Sequence, residues 1–368
     1  MIRILIVDDS ALMRRVLGRA FEADGGFELA FARDGTEALV QLHAFRPDVV
    51  TLDVQMPRMD GLRCLDRIMV ERPCPVVMVS ALTSEGAEAT LEALDLGAVD
   101  FVPKPGGVVS LAIDDFAPLL IERVRAASQI RLRRSHRLAE RLRARTPAPR
   151  PAPPVSAPPV SAPPGAGGTL PAAGGALPGL VIIGTSTGGP PALEAVLAPL
   201  PASFPWPILV AQHMPAAFTA SLARRLDDLC ALQVTEVTRP MPITPGVVHI
   251  ARGDADMMVS LRAGGPIVLP APAGPAHRWH PSVDRLVTSA MAHLPPQQLI
   301  GVLMTGMGND GAAAMAALHQ AGGRTIAEAE DTAAVWGMPG ELVKAGGAGL
   351  VAPLEAIAAR LAALVAVP

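Results

Sequence analysis

The sequence predicts two α/β domains joined by a flexible linker. Residues 1–122 alternate short apolar stretches with helical ones, which is typical of a parallel β-sheet covered by helices. The alternation stops at 146–178, a segment of proline, alanine and glycine with little to bury. It resumes over 179–368 with a new set of apolar stretches. A chain of 368 residues is long enough for two domains of ordinary size.

Strand patterns in the first domain end in polar residues. The strands are predicted at RILIV (3–7), DVVTLD (48–53), PVVMVS (75–80) and DFV (100–102), with a fifth near 29–31. The residues at or after the strand ends are Asp8, Asp9, Asp53, Ser80 and Lys104. Because the carboxyl ends of parallel strands meet at one edge of a sheet, we expect these side chains to converge.

Three carboxylates at one edge repel each other unless a cation lies between them. Mg²⁺, a hard ion that prefers oxygen ligands, is the ion that fits best. Lys104, the only lysine in the first 343 residues, adds a second positive charge. Such a site binds a phosphoryl group and lets one aspartate attack phosphorus. An aspartate after a strand is often only a helix cap, but capping does not explain the whole set.

The first domain resembles the receiver domains of two-component response regulators. The resemblance rests on ILIVDDS, VVTLDVQMPRMDGL, MVSALT and GAVDFVPKP, and covers all of 1–122. It implies a flavodoxin-like fold with a five-stranded parallel sheet, Mg²⁺-dependent phosphorylation and a histidine kinase as phosphodonor. The roles it implies are phosphoacceptor for Asp53, metal binding for Asp8, Asp9, Asp53 and the backbone carbonyl of Gln55, phosphoryl contacts for Ser80 and Lys104, and an aromatic switch for Phe101.

The segment 123–178 is predicted to connect the domains. Its first part, up to 145, is rich in arginine and is interpreted as a basic helix continuing from the receiver. Two interpretations stay open for it: a solvated linker helix, or a contact with an acidic partner or nucleic acid. The Pro/Ala/Gly-rich part is predicted to be a flexible tether.

The second domain, 179–368, is predicted to be a doubly wound parallel sheet. Its strands are expected at LVIIG (180–184), PILVA (207–211), VVHIA (247–251), LIGVLMTG (299–306) and GRTIAEA (323–329). Helical stretches lie between most of them.

The loop GTSTGG after the first of these strands can be interpreted in two ways. A phosphate-binding loop of the Walker type needs a lysine before its Ser or Thr, and a dinucleotide fingerprint needs Gly-x-Gly-x-x-Gly; neither is present. Residues 184–188 do satisfy Gly-x-Ser-x-Gly, which permits a tight strand-to-helix turn with Ser186 at its apex. Alone this pattern is weak, because a nucleophile also needs a base and an acid that orients it.

Two further residues leave predicted strands at the same edge. His213 follows ILVAQ, and Asp310 lies in TGMGNDG. Each alone is more simply structural, the first as a core histidine and the second as a turn residue. Together with Ser186 they meet the requirement for a Ser–His–Asp site. The chain order Ser, His, Asp differs from that of α/β-hydrolases, which indicates another fold with convergent chemistry.

The second domain resembles the catalytic domain of the chemotaxis protein-glutamate methylesterases, the CheB family. The resemblance rests on IIGTSTGGPPAL, AQHMPAAFT, HPSVD, GVLMTGMGNDGAAAM and WGMPGE. It implies a Rossmann-like domain that needs no cofactor, with methylated chemoreceptors as substrate and methanol as product, and with glutamine deamidation as a second activity. It assigns Ser186 as nucleophile, His213 as base and Asp310 as orienting acid, with the backbone N–H groups of Thr187 and Met307 as the oxyanion hole.

Two positions depart from the family pattern. Thr185 stands where the family commonly has alanine, and Trp279–His280 stand where it commonly has His-Arg. We expect the second departure to lie near the substrate entrance, and thus to affect recognition more than chemistry.

The tether predicts how the receiver controls the second domain. A long flexible linker lets the receiver dock over the esterase edge at high effective concentration. Phosphorylation of Asp53 is expected to weaken docking and shift the population to the open enzyme.

Bulk properties exclude several classes of protein. No run of about 18 apolar residues predicts a membrane span, and the N-terminal segment lacks the pattern of a signal peptide. Three widely spaced cysteines indicate reduced thiols in the cytoplasm. A net charge of −3 argues neither for nor against nucleic-acid binding. The absence of a helix-turn-helix pattern predicts no specific DNA binding. We expect a cytoplasmic monomer. The alternatives are a receiver-regulated serine hydrolase acting on another ester and a non-catalytic response regulator.

Overall fold

The computed structural model describes residues 1–81, 83–104, 109–130 and 177–366. Most of the basic helix and linker predicted over 123–178 lies outside the described residues. None of the described helices is long and apolar enough to cross a membrane.

The N-terminal part is a five-stranded parallel sheet, as predicted, and its strand order is β2-β1-β3-β4-β5. Its strands are β1 (Ile2–Val7), β2 (Phe27–Ala32), β3 (Val49–Asp53), β4 (Val76–Ser80) and β5 (Asp100–Pro103). Its helices are α1 (Ala11–Asp24), α2 (Gly35–Ala44), α3 (Gly61–Glu71), α4 (Ser84–Leu96) and α5 (Val109–Gln129). The central strands β3 and β4 are buried along their whole length, which explains why they are continuous apolar runs in the sequence.

Local chemistry sets where the first helices begin. The side chains of Ser10, Asp34 and Asp60 each accept a backbone N–H in the first turn of the helix that follows. Helix α5 continues without interruption through position 122, where the first domain was predicted to end. The boundaries at 122 and 179 stay predictions.

The C-terminal part contains a seven-stranded parallel sheet in the order β15-β14-β13-β6-β7-β10-β8. Its strands are β6 (Leu180–Thr185), β7 (Ile208–Gln212), β8 (Gln233–Val237), β10 (Val247–Ala251), β13 (Leu299–Leu303), β14 (Arg324–Glu328) and β15 (Leu350–Ala352). The five predicted strands form its centre. The two edge strands, β8 and β15, were not predicted.

A second sheet of three antiparallel strands was also missed. It consists of β9 (Met241–Pro242), β11 (Ala255–Arg262) and β12 (Gly265–Pro272). The helices of this part are α6 (Gly189–Leu197), α7 (Ala216–Leu229), α8 (Val283–Met291), α9 (Ala312–Gln320), α10 (Met338–Lys344) and α11 (Leu354–Val365), with a 3₁₀ turn at Pro296–Gln298. Met257, Val259 and Val268 of the small sheet share a buried core with Leu286 of α8.

Strand order places a crevice above the centre of the large sheet. β6 lies between β13 and β7, and the chain runs from β6 to β7 and only later returns to β13. The winding therefore reverses beside β6. In open parallel sheets, ligands bind outside the carboxyl ends of the strands at such a reversal.

Candidate functional site

The acidic residues of the first domain gather at the carboxyl edge of its sheet. One carboxylate oxygen from each of Asp8, Asp9 and Asp53 lies within 4.8 Å of the others. Asp8 and Asp53 are buried and Asp9 is exposed, so the cluster opens to solvent on one side. Three carboxylates at this spacing are a donor set that fits a hard divalent cation.

Lys104 neutralises part of this negative charge. Its Nζ lies 2.9 Å from Asp8 Oδ2 and 2.8 Å from Asp53 Oδ2. Burial raises the pKa of Asp53 above its usual value, and the hydrogen bond from Lys104 opposes that rise. Burial alone would lower the pKa of Lys104, but its bonds to Asp53 and Asp8 raise it above the usual value. Lys104 thus contacts both buried carboxylates of the cluster.

Three further residues predicted for this site lie around it. The backbone N–H of Gln55 donates to Asp53, and Gln55 lines a surface cavity together with Asp9. The Ser80 hydroxyl is buried and donates to the carbonyl of Gly86 at 3.2 Å. Phe101 contacts the second domain. Its ring lies 4.5 Å from the ring of Phe218 in α7, across the contact between the two domains.

In the second domain, Ser186, His213 and Asp310 follow β6, β7 and β13 at the winding reversal. All three are buried, with Ser186 3% exposed. His213 Nε2 lies 2.8 Å from Asp310 Oδ2, while His213 Nδ1 is buried without a hydrogen-bond partner. The unpaired Nδ1 is thus the imidazole nitrogen left to exchange a proton with a reacting group.

Asp310 is fixed by the amino end of α8. Its carboxylate accepts hydrogen bonds from the Ser282 hydroxyl and from the N–H groups of Val283 and Asp284 at 3.0, 2.7 and 3.1 Å. Burial alone would raise the pKa of Asp310, but the bond from His213 and these helix N–H donors hold it below its usual value. The carboxylate is therefore charged and able to stabilise an imidazolium.

Two hydrogen bonds connect the loop after β6 to the loop after β13. Ser186 N donates to Thr305 O at 2.9 Å, and Thr305 Oγ1 donates to Thr187 O at 2.8 Å. Gly188 has φ +75° and ends the turn before α6, a conformation that favours glycine. Thr187 and Met307, the predicted oxyanion donors, lie on these two connected loops.

Thr185 supports the serine loop through Gln212. The Thr185 hydroxyl donates to Gln212 Oε1, and the Gln212 amide donates to the carbonyls of Ser186 and His213 at 2.9 and 3.1 Å. Thr185 is therefore connected, through Gln212, to the backbone carbonyls of both Ser186 and His213.

An arginine on helix α5 reaches the serine loop, and sequence reasoning missed it. Arg123 on α5 donates to Asp100 Oδ2 at 2.8 Å, to the Thr187 hydroxyl, and to Ser186 Oγ at 3.4 Å. The Thr187 hydroxyl in turn donates to Asp100. Asp100 is buried and Arg123 is half-buried against the serine loop, so in this arrangement the receiver covers the candidate nucleophile.

Other contacts between the domains surround this point. Arg225 of α7 pairs with Asp95 of α4 and, at 2.6 Å, with Glu194 of α6. Arg278 pairs with Glu122 of α5 at 2.9 Å. The receiver thus contacts the second domain through α4, β5 and α5.

The described residues form a two-part response regulator: a phosphoacceptor-type domain packed over a serine-hydrolase-type site. Residues 4–112 match the family described as the response regulator receiver domain, and residues 181–361 match the CheB methylesterase family. The chain belongs to the CheB methylesterase family.

Curated relatives match along nearly the whole chain. A protein-glutamate methylesterase/protein-glutamine glutaminase of Rhodopseudomonas palustris is 55% identical over 98% of this chain and 97% of its own length. One of Rhodospirillum rubrum is 54% identical over 98% and 95%. One of Vibrio cholerae is 42% identical over 93% and 90%. Each of these relatives aligns with both the receiver part and the esterase part of this chain.

Proposed function

We propose that this chain is a phosphorylation-activated protein-glutamate methylesterase with a second protein-glutamine deamidase activity. The buried His213–Asp310 pair beside Ser186 carries the proposal. A serine hydrolase needs this combination of groups, and Asp310 has all the partners needed to stay charged.

The substrate is the γ-methyl ester of a glutamate on a chemoreceptor's cytoplasmic domain. Ser186 Oγ attacks the ester carbonyl while His213 Nδ1 takes its proton. The N–H groups of Thr187 and Met307 stabilise the negative charge that develops on the carbonyl oxygen. His213 returns the proton to the departing oxygen, releasing methanol and leaving a glutamyl–Ser186 ester.

Water completes the reaction. His213 removes a proton from water, which attacks the glutamyl ester and frees Ser186 and the glutamate carboxylate. A glutamine side chain would pass through the same acyl intermediate and release ammonia. Asp310 orients the imidazole throughout and stabilises its cationic form.

The receiver site controls access to this chemistry. Asp53 takes the phosphoryl group from a histidine kinase of a chemotaxis-type system. Asp8, Asp9, Asp53 and the carbonyl of Gln55 would hold Mg²⁺, which neutralises charge on the phosphoryl oxygens when bound. Ser80 and Lys104 would contact the phosphoryl group. The whole system operates in the cytoplasm.

Docking explains how phosphorylation reaches the serine. Arg123 contacts both Ser186 Oγ and Asp100. Phe101, the residue after Asp100, packs on Phe218 of the second domain. A shift of Ser80, Lys104 and Phe101 towards a phosphorylated Asp53 would disturb this face of the receiver. The crevice then opens because the population of the docked state falls.

Replacing Ser186 tests the proposed nucleophile. Ser186→Ala should reduce methanol release from methylated receptor membranes by on the order of 10⁶-fold, to background. Ser260→Ala, in the small antiparallel sheet, serves as the matched control and should keep the wild-type rate. Circular dichroism checks that both variants fold. Methanol release by Ser186→Ala at the control's rate would overturn the assignment.

A further inference from the structure

Trp279 lies beside the proposed base. Its ring is parallel to the His213 imidazole, with an interplanar angle of 5° and 6.1 Å between ring centroids. This separation is within the range of offset aromatic pairs. The indole is partly exposed, so it forms a surface of the crevice and is not part of the core.

The indole also contacts the loop that is joined to the serine. Gly308 has φ +87°, and a Cβ built on it would come within 2.5 Å of Trp279 Cζ2. The carbonyl of Thr305, on the same loop, accepts the Ser186 N–H. Trp279 therefore lies next to both halves of the proposed machinery, the imidazole and the loop of the oxyanion donor.

Arg278 holds the indole from a further side. The guanidinium carbon of Arg278 lies 5.2 Å from the centroid of the Trp279 ring, a cation–π distance. The following residue is also fixed, since His280 Nδ1 lies 2.9 Å from Asp256, a buried carboxylate that also accepts the Ser282 N–H at 2.7 Å. Trp279 thus lies between Arg278, which is largely exposed, and the fixed His280, and its ring presents an apolar face.

The geometry points to Trp279 as a specificity-determining residue that favours methyl ester over primary amide. This inference rests on the proposed function. The departing group must lie against the imidazole, because His213 returns its proton. A methyl ester presents an apolar methyl group to the indole. A primary amide presents two N–H donors, and an apolar wall leaves a donor without a partner.

The expected preference is limited in size. An unpaired donor costs enough to change a rate constant by about tenfold or more. An apolar pocket cannot reject an isosteric group completely, so deamidation persists as the slower activity. The wall thus adds to the intrinsic difference in reactivity between esters and amides.

The test compares two products from one enzyme preparation. Methanol release from methylated receptor and ammonia release from receptor carrying glutamine are measured for wild type, Trp279→Phe, Trp279→Gln and Arg278→Gln. The ratio of the two kcat/KM values is the readout. Docking of the receiver affects both reactions equally and therefore cancels in this ratio.

Trp279→Gln, which supplies a carbonyl acceptor, should lower the ester-to-amide ratio by about tenfold or more. Trp279→Phe keeps an apolar ring and should stay within about threefold of wild type. Arg278→Gln, the matched neighbour, should leave the ratio unchanged even if both rates change. Equal loss of both activities in Trp279→Gln would overturn the inference, because Trp279 would then only position His213.

Two further outcomes distinguish a failure of this inference from a failure of the proposed function. If Trp279→Gln does not fold, Trp279→His takes its place, and a wild-type ratio in that variant overturns the inference. If wild type releases neither methanol nor ammonia while it hydrolyses a small ester, the proposed function fails instead.

Discussion

The two domains use the same edge of the same kind of sheet in opposite ways. At the receiver edge, Asp8, Asp9 and Asp53 crowd together with Lys104 as their neutralising cation. At the esterase edge, the carboxylate of Asp310 has four hydrogen-bond donors. The receiver site is thus built to change its charge, and the esterase site is built to keep its geometry.

This difference explains where control can act. A site with excess negative charge responds strongly to a cation and a phosphoryl group. A site whose carboxylate is already hydrogen-bonded on all sides responds mainly to whether substrate can enter. The contact between Arg123 and Ser186 connects the two kinds of site, since it joins the receiver face to the nucleophile. Substitutions in the esterase site should therefore lower the rate of the reaction, whereas substitutions on the receiver face should change the activity of the unphosphorylated protein.

After the loss expected for Ser186→Ala, the largest effect is expected from Asp310→Asn, which should lower kcat by about 10⁴-fold. The amide keeps the shape but cannot stabilise the imidazolium, and it favours the wrong tautomer of His213. Stopped-time methanol assays measure the rate. Asp284→Asn, on the same helix end, is the control and should retain most activity. A loss below about tenfold in Asp310→Asn would show that the fixed carboxylate is not needed.

A smaller, opposite effect is expected from Arg123→Gln. Loss of the buried contact with Asp100 and the serine loop should raise unphosphorylated activity by about tenfold, within the usual range of coupling energies. Arg125→Gln is the matched control, because Arg125 lies on the same helix but pairs with Asp24 inside the receiver. The docking account fails if Arg123→Gln has wild-type basal activity or if both variants rise alike.

The smallest effect concerns stability and pH at Glu328. This carboxyl is fully buried, and its Oε2 accepts the Thr305 N–H at 2.7 Å. Burial raises its pKa from 4.5 to about 7. The folded state therefore binds a proton that the unfolded state has released between these values. The contribution to stability is present below pH 4.5 and is lost as pH rises to about 7.

Glu328→Gln removes this titration but keeps the acceptor for Thr305. Relative to the variant, the free energy of unfolding of wild type should fall by about 2 kcal/mol between pH 5 and pH 7.5. Above that range the difference between the two proteins should be constant. For a domain of this size the loss corresponds to about 4–8 °C in Tm. Thermal unfolding of both proteins at pH 5, 6, 7 and 8 measures it. Parallel curves would show that Glu328 does not titrate in this range.

Sequence patterns predicted the central strands because those strands are buried on both faces. β6 and β13 are continuous apolar runs, and their following loops contain Ser186 and Asp310. β8 reads QVTEV and is only partly buried, so its apolar pattern is too weak to identify it. The small antiparallel sheet was missed for a related reason: most of β12 is half-buried and interrupted by prolines.

The partners of the site were harder to predict than its central residues. Ser282 contacts Asp310 and Arg123 contacts Ser186, each from a distant part of the chain. Ser282 lies in the HPSVD motif, but the motif does not show that its hydroxyl donates to Asp310, and no motif marks Arg123. Arg123 lies in an arginine-rich stretch where any one of several residues could have faced the crevice. Its role depends on the packing of one domain on the other, which periodicity and spacing do not encode.

Phosphorylation of the wild-type chain tests the central claim most directly. Methanol release from methylated receptor membranes is measured with and without a small-molecule phosphodonor, for wild type and for Asp53→Asn. The account predicts that the phosphodonor raises the wild-type rate by at least about fivefold and leaves Asp53→Asn at its basal rate. An equal rate with and without phosphodonor in wild type, or an equal rise in Asp53→Asn, would contradict it.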